Sequence, residues 1–191
     1  MKKMSGWAIF GIIFVAIVVI FGAWGVSSYN GLVGLKENVR NQASNIEVQL
    51  QKRVNLIPNL VNTVKGYTSH ESEVLTQISN ARAKLSGAST MSDKASANDD
   101  FSSAVSRLLV VVENYPNLKA DAQFTALMDE LSGTENRIAV ARKDYNDAVT
   151  KYNSNIKTFP ANIIAGISGF TSVDYFKATN GSTETPTVSF S

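Results

Sequence analysis

Between Met4 and Leu35 the chain carries no Asp, Glu, Lys or Arg, and Trp7 to Val26 is twenty residues of apolar side chains and glycine. Twenty helical residues rise roughly 30 Å, the thickness of a bilayer's hydrocarbon core. A stretch of this length and composition reads as a transmembrane helix, with Phe14 and Ile20 in its interior. Trp7 and Trp24 stand near its ends, where indoles favour the headgroup region. A cleaved signal peptide also begins with charge and an apolar core, but such cores run to about 7–15 residues. The candidate cleavage sites, Ala23-Trp24-Gly25 and Val26-Ser27-Ser28, contain a bulky group or a β-branched residue. A retained anchor over residues 1–28 is therefore the expectation.

Lys2 and Lys3 lie close to one membrane edge, whereas Lys36 and Arg40 lie further from the other and flank Glu37. The positive-inside rule places the N-terminus in the cytoplasm and the remainder outside it. The absence of cysteine fits either compartment. All 16 acidic residues follow the anchor together with 16 basic ones, mixed along the chain. No basic stripe is present, so a nucleic-acid partner is not expected. The expected partners are the lipid bilayer, a second copy of the chain and another membrane protein.

About 160 residues after the anchor suffice for one core. Apolar residues recur at helical spacing. Leu32, Leu35, Val39, Ala43, Ile46, Leu50, Val54 and Ile57 form a first seam, near an eleven-residue repeat. Leu60, Val64, Tyr67, Glu71, Val74, Ile78, Ala81 and Leu85 form a second, in heptads. Pro58 lies between them and removes an amide donor, so the chain either kinks within one helix or restarts at Pro58-Asn59. Residues 86–98 are small and polar and read as a loop, with Asn98 or Asp99 capping a next helix that carries Phe101, Val105, Leu108, Leu109 and Val112. After an interruption at Tyr115-Pro116 the longest seam runs Phe124, Leu127, Leu131, Thr134, Ile138, Ala141, Tyr145, Ala148, Tyr152, with Gly133 as a possible bend, and ends at Phe159-Pro160. The expected fold is all-α: an N-terminal transmembrane helix followed by a long antiparallel bundle of three to four helices over residues 29–170. Residues 161–170, short and apolar, either cap the bundle or lie on a membrane surface, capping being preferred. Residues 171–191, rich in Ser and Thr, read as a flexible tail.

Several strings along these segments are distinctive: Arg53 with Leu56-Ile57-Pro58-Asn59-Leu60-Val61, then Val64-Lys65-Gly66-Tyr67, His70-Glu71 and Ala81-Arg82. Further on come Tyr115-Pro116-Asn117-Leu118-Lys119, Phe124, Glu135, Arg142, Tyr145-Asn146, Tyr152-Asn153 and Phe159-Pro160. In this order and spacing they resemble the LemA family of bacterial membrane proteins, from about Val26 to Phe176. The resemblance implies an anchored four-helix bundle, no established enzymatic activity, and an association with membrane proteases and envelope stress.

Reaction chemistry is poorly supported by the residues. His70 is the single histidine. A zinc site needs several converging ligands, and Val74 stands where a second histidine of the helical pattern belongs. Glu71 falls on the seam and is expected to form an ion pair inside the bundle with one of Arg53, Arg82, Arg107, Arg137 or Arg142. Tyr145 and Tyr152, one heptad apart and each followed by Asn, read as an aromatic ladder whose hydroxyls reach a partner at the seam edge. Lys65-Gly66-Tyr67 lacks the glycine spacing of a phosphate loop. No G-x-S-x-G surrounds any serine. No catalytic, cofactor or metal residue is assigned. The leading expectation is a membrane-anchored, self-associating scaffold without catalytic activity. Next come a sensor or adaptor acting through a membrane partner such as a protease, and a hydrolase using His70 and Glu71.

Overall fold

In a computed structural model the chain is described over residues 6–68 and 71–177. Among these residues the regular structure is entirely helical: α1 Gly6–Lys65, α2 Ser72–Gly87, α3 Met91–Val112, α4 Pro116–Lys119, α5 Ala122–Asn155 and α6 Ala161–Ile167. The all-α fold and the long apolar N-terminal helix are as expected. Four helices are long, and two are short turns that the sequence does not separate from loops.

The chain divides into two compact units, residues 1–40 with 148–173, and residues 41–147 with 174 onward. The division falls inside α1 and α5, both of which run on without a break.

The unit holding the anchor buries Leu32 and Val39 of α1, Val149 and Tyr152 of α5, and Ala165 of α6. Every described side chain from Ile9 to Gly22 is exposed, as a lipid-facing run must be when it stands outside a core. Helix α6 ends in a Schellman motif. Gly169 takes φ +71°, its N–H donates to the Gly166 carbonyl, and the Phe170 N–H donates to the Ala165 carbonyl at 2.9 Å. A side chain at Gly169 would be strained in that conformation, which explains the glycine.

The other unit is packed around Ile57, Leu60, Val64, Ile78, Phe101, Leu108, Phe124 and Leu131. Pro58 lies within α1, which settles the alternative left open by the sequence in favour of one continuous helix. The second seam changes phase, however. Tyr67 is exposed, Glu71 and Val74 are half-buried, and Leu75 faces the core instead. The cause is that α1 stops at Lys65 and α2 starts afresh at Ser72, so a seam counted across both loses register.

Two other expectations are corrected. Residues 86–98 are not a loop: only Ala88 to Thr90 separate α2 from α3. Thr90 and Asp93 form a capping box, the Asp93 N–H donating to the Thr90 hydroxyl oxygen at 3.0 Å and the Thr90 N–H donating to the Asp93 carboxylate. Neither Asn98 nor Asp99 is the cap. Ala95 and Ala97 are buried, so the small residues of this stretch allow close helix packing. Residues 171–177 are not free either. They form a strap held against α5, with Phe176 fully buried. The rest of the expected tail, 178–191, lies outside the described residues.

Candidate functional site

Among the described residues, the distinctive polar side chains have definite locations. Arg53 projects from α1 into the second unit and is only 4% exposed. Its guanidinium pairs with Glu135 of α5 and donates to Asn98 and, at 3.0 Å, to the Ser102 hydroxyl of α3. It also lies over the Phe101 ring, 4.6 Å from its centroid, where a cation gains from the ring's negative face. Burial pulls the guanidinium below its ordinary value, opposed by the attraction of Glu135 and Asp99. The fit is incomplete: Arg53 Nε has no acceptor, and Glu135 Oε2 meets the guanidinium as an ion pair without an aligned hydrogen bond.

Pro58 lacks the N–H that would otherwise reach the carbonyl of Val54 four residues earlier. Arg82 of α2 fills that place: its Nε donates to the Val54 carbonyl at 3.4 Å. Asn59, exposed on the following turn, accepts the Thr63 hydroxyl at its carbonyl.

At the far end of α1, the Tyr67 hydroxyl donates to Asp121 Oδ2 at 2.7 Å. Asp121 precedes α5, and its Oδ1 accepts the Phe124 N–H at 2.8 Å as an N-cap. The Phe124 amide, then Tyr67, hold the Asp121 carboxyl below the usual carboxylate range. Glu71 accepts the Tyr115 hydroxyl at 3.1 Å, which corrects the arginine partner expected from the sequence. Burial, with this bond to Glu71, raises the Tyr115 phenol. The candidate arginines are engaged elsewhere: Arg53 and Arg82 as above, Arg107 on Gln77, Arg137 on Glu130, and Arg142 over the Phe176 ring. Because Glu71 precedes the first residue of α2, it lies off the helical seam on which its expected pairing rested. His70 lies outside the described residues.

The two Tyr-Asn pairs of α5 do the same work, one in each unit. In the second unit, Asn146 donates to the Phe176 carbonyl at 3.1 Å and accepts the Phe176 N–H at 2.9 Å, while the Tyr145 hydroxyl donates to the Asp174 carbonyl. In the anchor unit, Asn153 donates to the Val173 carbonyl at 2.8 Å and accepts its N–H at 2.9 Å, while the Tyr152 hydroxyl donates to the Thr171 carbonyl. A primary amide offers one donor and one acceptor side by side, as a peptide group does, so each asparagine replaces the neighbour that a strand would have in a sheet. The spacing is consistent. Seven helical residues rise about 10.5 Å, and three extended residues span about 10 Å. Pairs one heptad apart on α5 therefore meet positions three apart on the strap. Burial raises both phenols above their ordinary value.

Outside these contacts, α1 and α5 of the second unit border an open groove of about 400 Å³ that includes Val48, Gln49, Arg137 and Val140. Gln49 Oε1 has no partner there. Trp7, Phe14 and Ile20 lie exposed on the apolar run, and Trp24 is half-buried near its end. The sequence reading names Asn98 only as a helix cap and does not single out Ser102, Asp121 or the strap carbonyls. The only advance signal for the strap was the heptad repeat of Tyr-Asn.

Comparison with known proteins adds identity to this geometry. A family model described as the LemA family matches residues 42–190. Magnetosome protein MamQ 2 of Paramagnetospirillum magneticum is 31% identical, over 87% of this chain and 71% of that protein. Magnetosome protein MamQ of Magnetospirillum gryphiswaldense is 29% identical, over 78% and 64% respectively. Protein LemA of Metamycoplasma hominis is 28% identical, over 88% and 78%. With the family model spanning more than half of its length, this chain belongs to the LemA family.

Proposed function

We propose that this membrane-associated helical protein is a scaffold of the bacterial envelope that self-associates and has no catalytic activity of its own. The observation that carries the reading is the continuity of α1. The apolar run and the segment bearing Arg53 and Pro58 are one helix, Gly6–Lys65, with no linker between them. A diffusing substrate is better served by a mobile tether, whereas assembly at a membrane is compatible with a helix that continues past the apolar run without a linker. Exposed apolar side chains support assembly: Val110 of α3 and Val48 and Val140 beside the groove are all more than half exposed. Several polar residues that mark the family, among them Arg82, Asn146 and Asn153, are occupied in holding backbone groups. In this reading the N-terminus is cytoplasmic and the helices outside.

Native mass measurement of the full chain in mild detergent, with crosslinking in membranes, tests the proposal. A particle of more than one copy is expected. A strict monomer that crosslinks to nothing refutes it. Crosslinks only to a different membrane protein favour the second reading, an adaptor for a membrane partner such as a protease, for which the open groove at Gln49 is the candidate surface. Topology reporters at each terminus test the orientation.

A further inference from the structure

Helix α6 and the Phe159 that precedes it leave three large apolar side chains in solvent: Phe159 at 75%, Ile163 at 48% and Ile167 at 81% exposure. They do not serve the unit's core, which takes Ala165 from the same helix. The position of α6 bears on what they face. A Cβ added at Gly25 would stand 3.7 Å from Ile164 Cδ1, so α6 lies against the last turn of the apolar run, one residue from Trp24. Just beyond α6, the Phe170 ring meets Tyr29 at 5.7 Å between centroids, and Lys36 Nζ lies 5.6 Å from the same ring. Lys36 is the first charge after the uncharged stretch. Thus α6 sits at the level where α1 leaves the hydrocarbon, a zone in which an apolar face meets lipid and a charge meets headgroups.

Charge agrees with position. Residues 148–173, which bring α6 back to the anchor, contain Lys151 and Lys157 and no acidic residue. Elsewhere after the anchor the signs are mixed. A segment with lysines, exposed isoleucines and no carboxylate is suited to an anionic lipid surface.

We propose that α6 with Phe159 is a second membrane contact, inserted into the interfacial layer of the bilayer on the side where α1 emerges, its occupant being lipid carrying anionic headgroups. The sequence reading preferred residues 161–170 as a cap. Ile164 and Ala165 do pack inward, and the outward half of the same helix is the membrane face. The inference rests on α1 spanning the bilayer, and its test separates the two.

The chain has no cysteine, so single nitroxide labels can be placed without removing any residue. The full chain in nanodiscs of phosphatidylcholine with a minority of phosphatidylglycerol is labelled in turn through Ile163→Cys, Ile167→Cys, the exposed control Ser154→Cys and the span control Phe14→Cys. Collision rates with oxygen and with a water-soluble nickel chelate are then compared. At positions 163 and 167 the nickel rate is expected to fall about threefold or more below that at 154, with oxygen collisions raised, as for a label below the headgroups. Nickel rates at 163 and 167 equal to that at 154 overturn the proposal. So do low rates for both reagents, which place protein instead of lipid over α6. The Phe14 label decides what has failed: shielded from nickel, it leaves the anchor standing and removes only the α6 contact; open to nickel, it removes both. Replacing phosphatidylglycerol by phosphatidylcholine is expected to raise the nickel rate at 163 and 167, and an unchanged rate overturns the anionic preference.

Discussion

Replacing Asn146 by Ala is expected to release the strap from α5 without unfolding the helices. Ordering the three residues Asp174 to Phe176 costs roughly 3–6 kcal/mol of backbone entropy. Against this stand two hydrogen bonds from Asn146 and one from Tyr145, about 1 kcal/mol each. Burial of the Phe176 ring adds about 2–3 kcal/mol. The two sides nearly balance, so the strap is held locally with little to spare. Losing both Asn146 bonds removes about 2 kcal/mol, or about 30-fold in the attachment equilibrium. Hydrogen exchange on the full chain in detergent reads this directly. The Phe176 amide, a donor to Asn146, is expected to exchange faster, up to the ceiling of about 30-fold set by the lost bonds, while amides of α5 around Ile138 keep their rates. Unchanged exchange at Phe176 would refute the reasoning, as would equal acceleration throughout α5. Asn146→Asp separates the two bonds. A carboxylate still accepts from the Phe176 N–H but repels its carbonyl, so attachment is expected to improve as pH falls and the acid regains a donor.

Other expectations concern the remaining polar residues. Glu135→Ala leaves the buried Arg53 guanidinium without its counter-ion and is expected to cost about 3 kcal/mol in urea unfolding; Arg53→Met leaves a half-exposed carboxylate that water can solvate and should cost less than half as much. Arg82→Ala is expected to cost about 1 kcal/mol in the natural chain and nearly nothing beside Pro58→Ala, where a restored amide reaches the Val54 carbonyl; additive losses in the double-mutant cycle would contradict the pairing. Asp121 titrates lower folded than unfolded, so its contribution is present above the unfolded carboxylate pKa and lost as pH falls through the folded one. Tyr67→Phe is therefore expected to raise the Asp121 titration midpoint read by carboxyl NMR, and Asp121→Asn to remove that share of acid sensitivity. Gly169→Ala forces a side chain into positive φ and is expected to cost about 1–2 kcal/mol, read as a lower melting temperature.

Seams were legible in the sequence because helical burial has a period. Leu32, Val39, Ile46, Leu50, Val54 and Ile57 are all buried as their spacing requires, and so are Phe124, Leu131, Ile138, Tyr145 and Tyr152. The start of α3 was not legible. Its buried positions, Ala95 and Ala97, are small, and a run of Ser, Ala and Asn has the composition of a loop even when a Thr90–Asp93 capping box begins it. Continuity through Pro58 was undecidable from α1 alone, because the partner that satisfies the freed carbonyl comes from α2. The strap escaped notice because an unpaired extended segment has no period of its own; its period is written on α5.

These cases share a physical cause that bears on function. Helical seams satisfy apolar surface but leave particular backbone groups without partners: the Val54 carbonyl opposite Pro58, the first amides of α3 and α5, and both polar groups of Val173 and Phe176 along the strap. Arg82, Thr90, Asp121, Asn146 and Asn153 each answer one of these deficits. A buried unpaired backbone group costs about 1–3 kcal/mol, so side chains that prevent it are under strong constraint whether or not they act on a ligand. Among the residues that mark the family, Arg82, Tyr145, Asn146, Tyr152 and Asn153 have this occupation, and mutating them tests the fold before it tests the activity. The surfaces without such an occupation, the open groove at Gln49 and the outward face of α6, are where substitutions should alter association while leaving the helices in place.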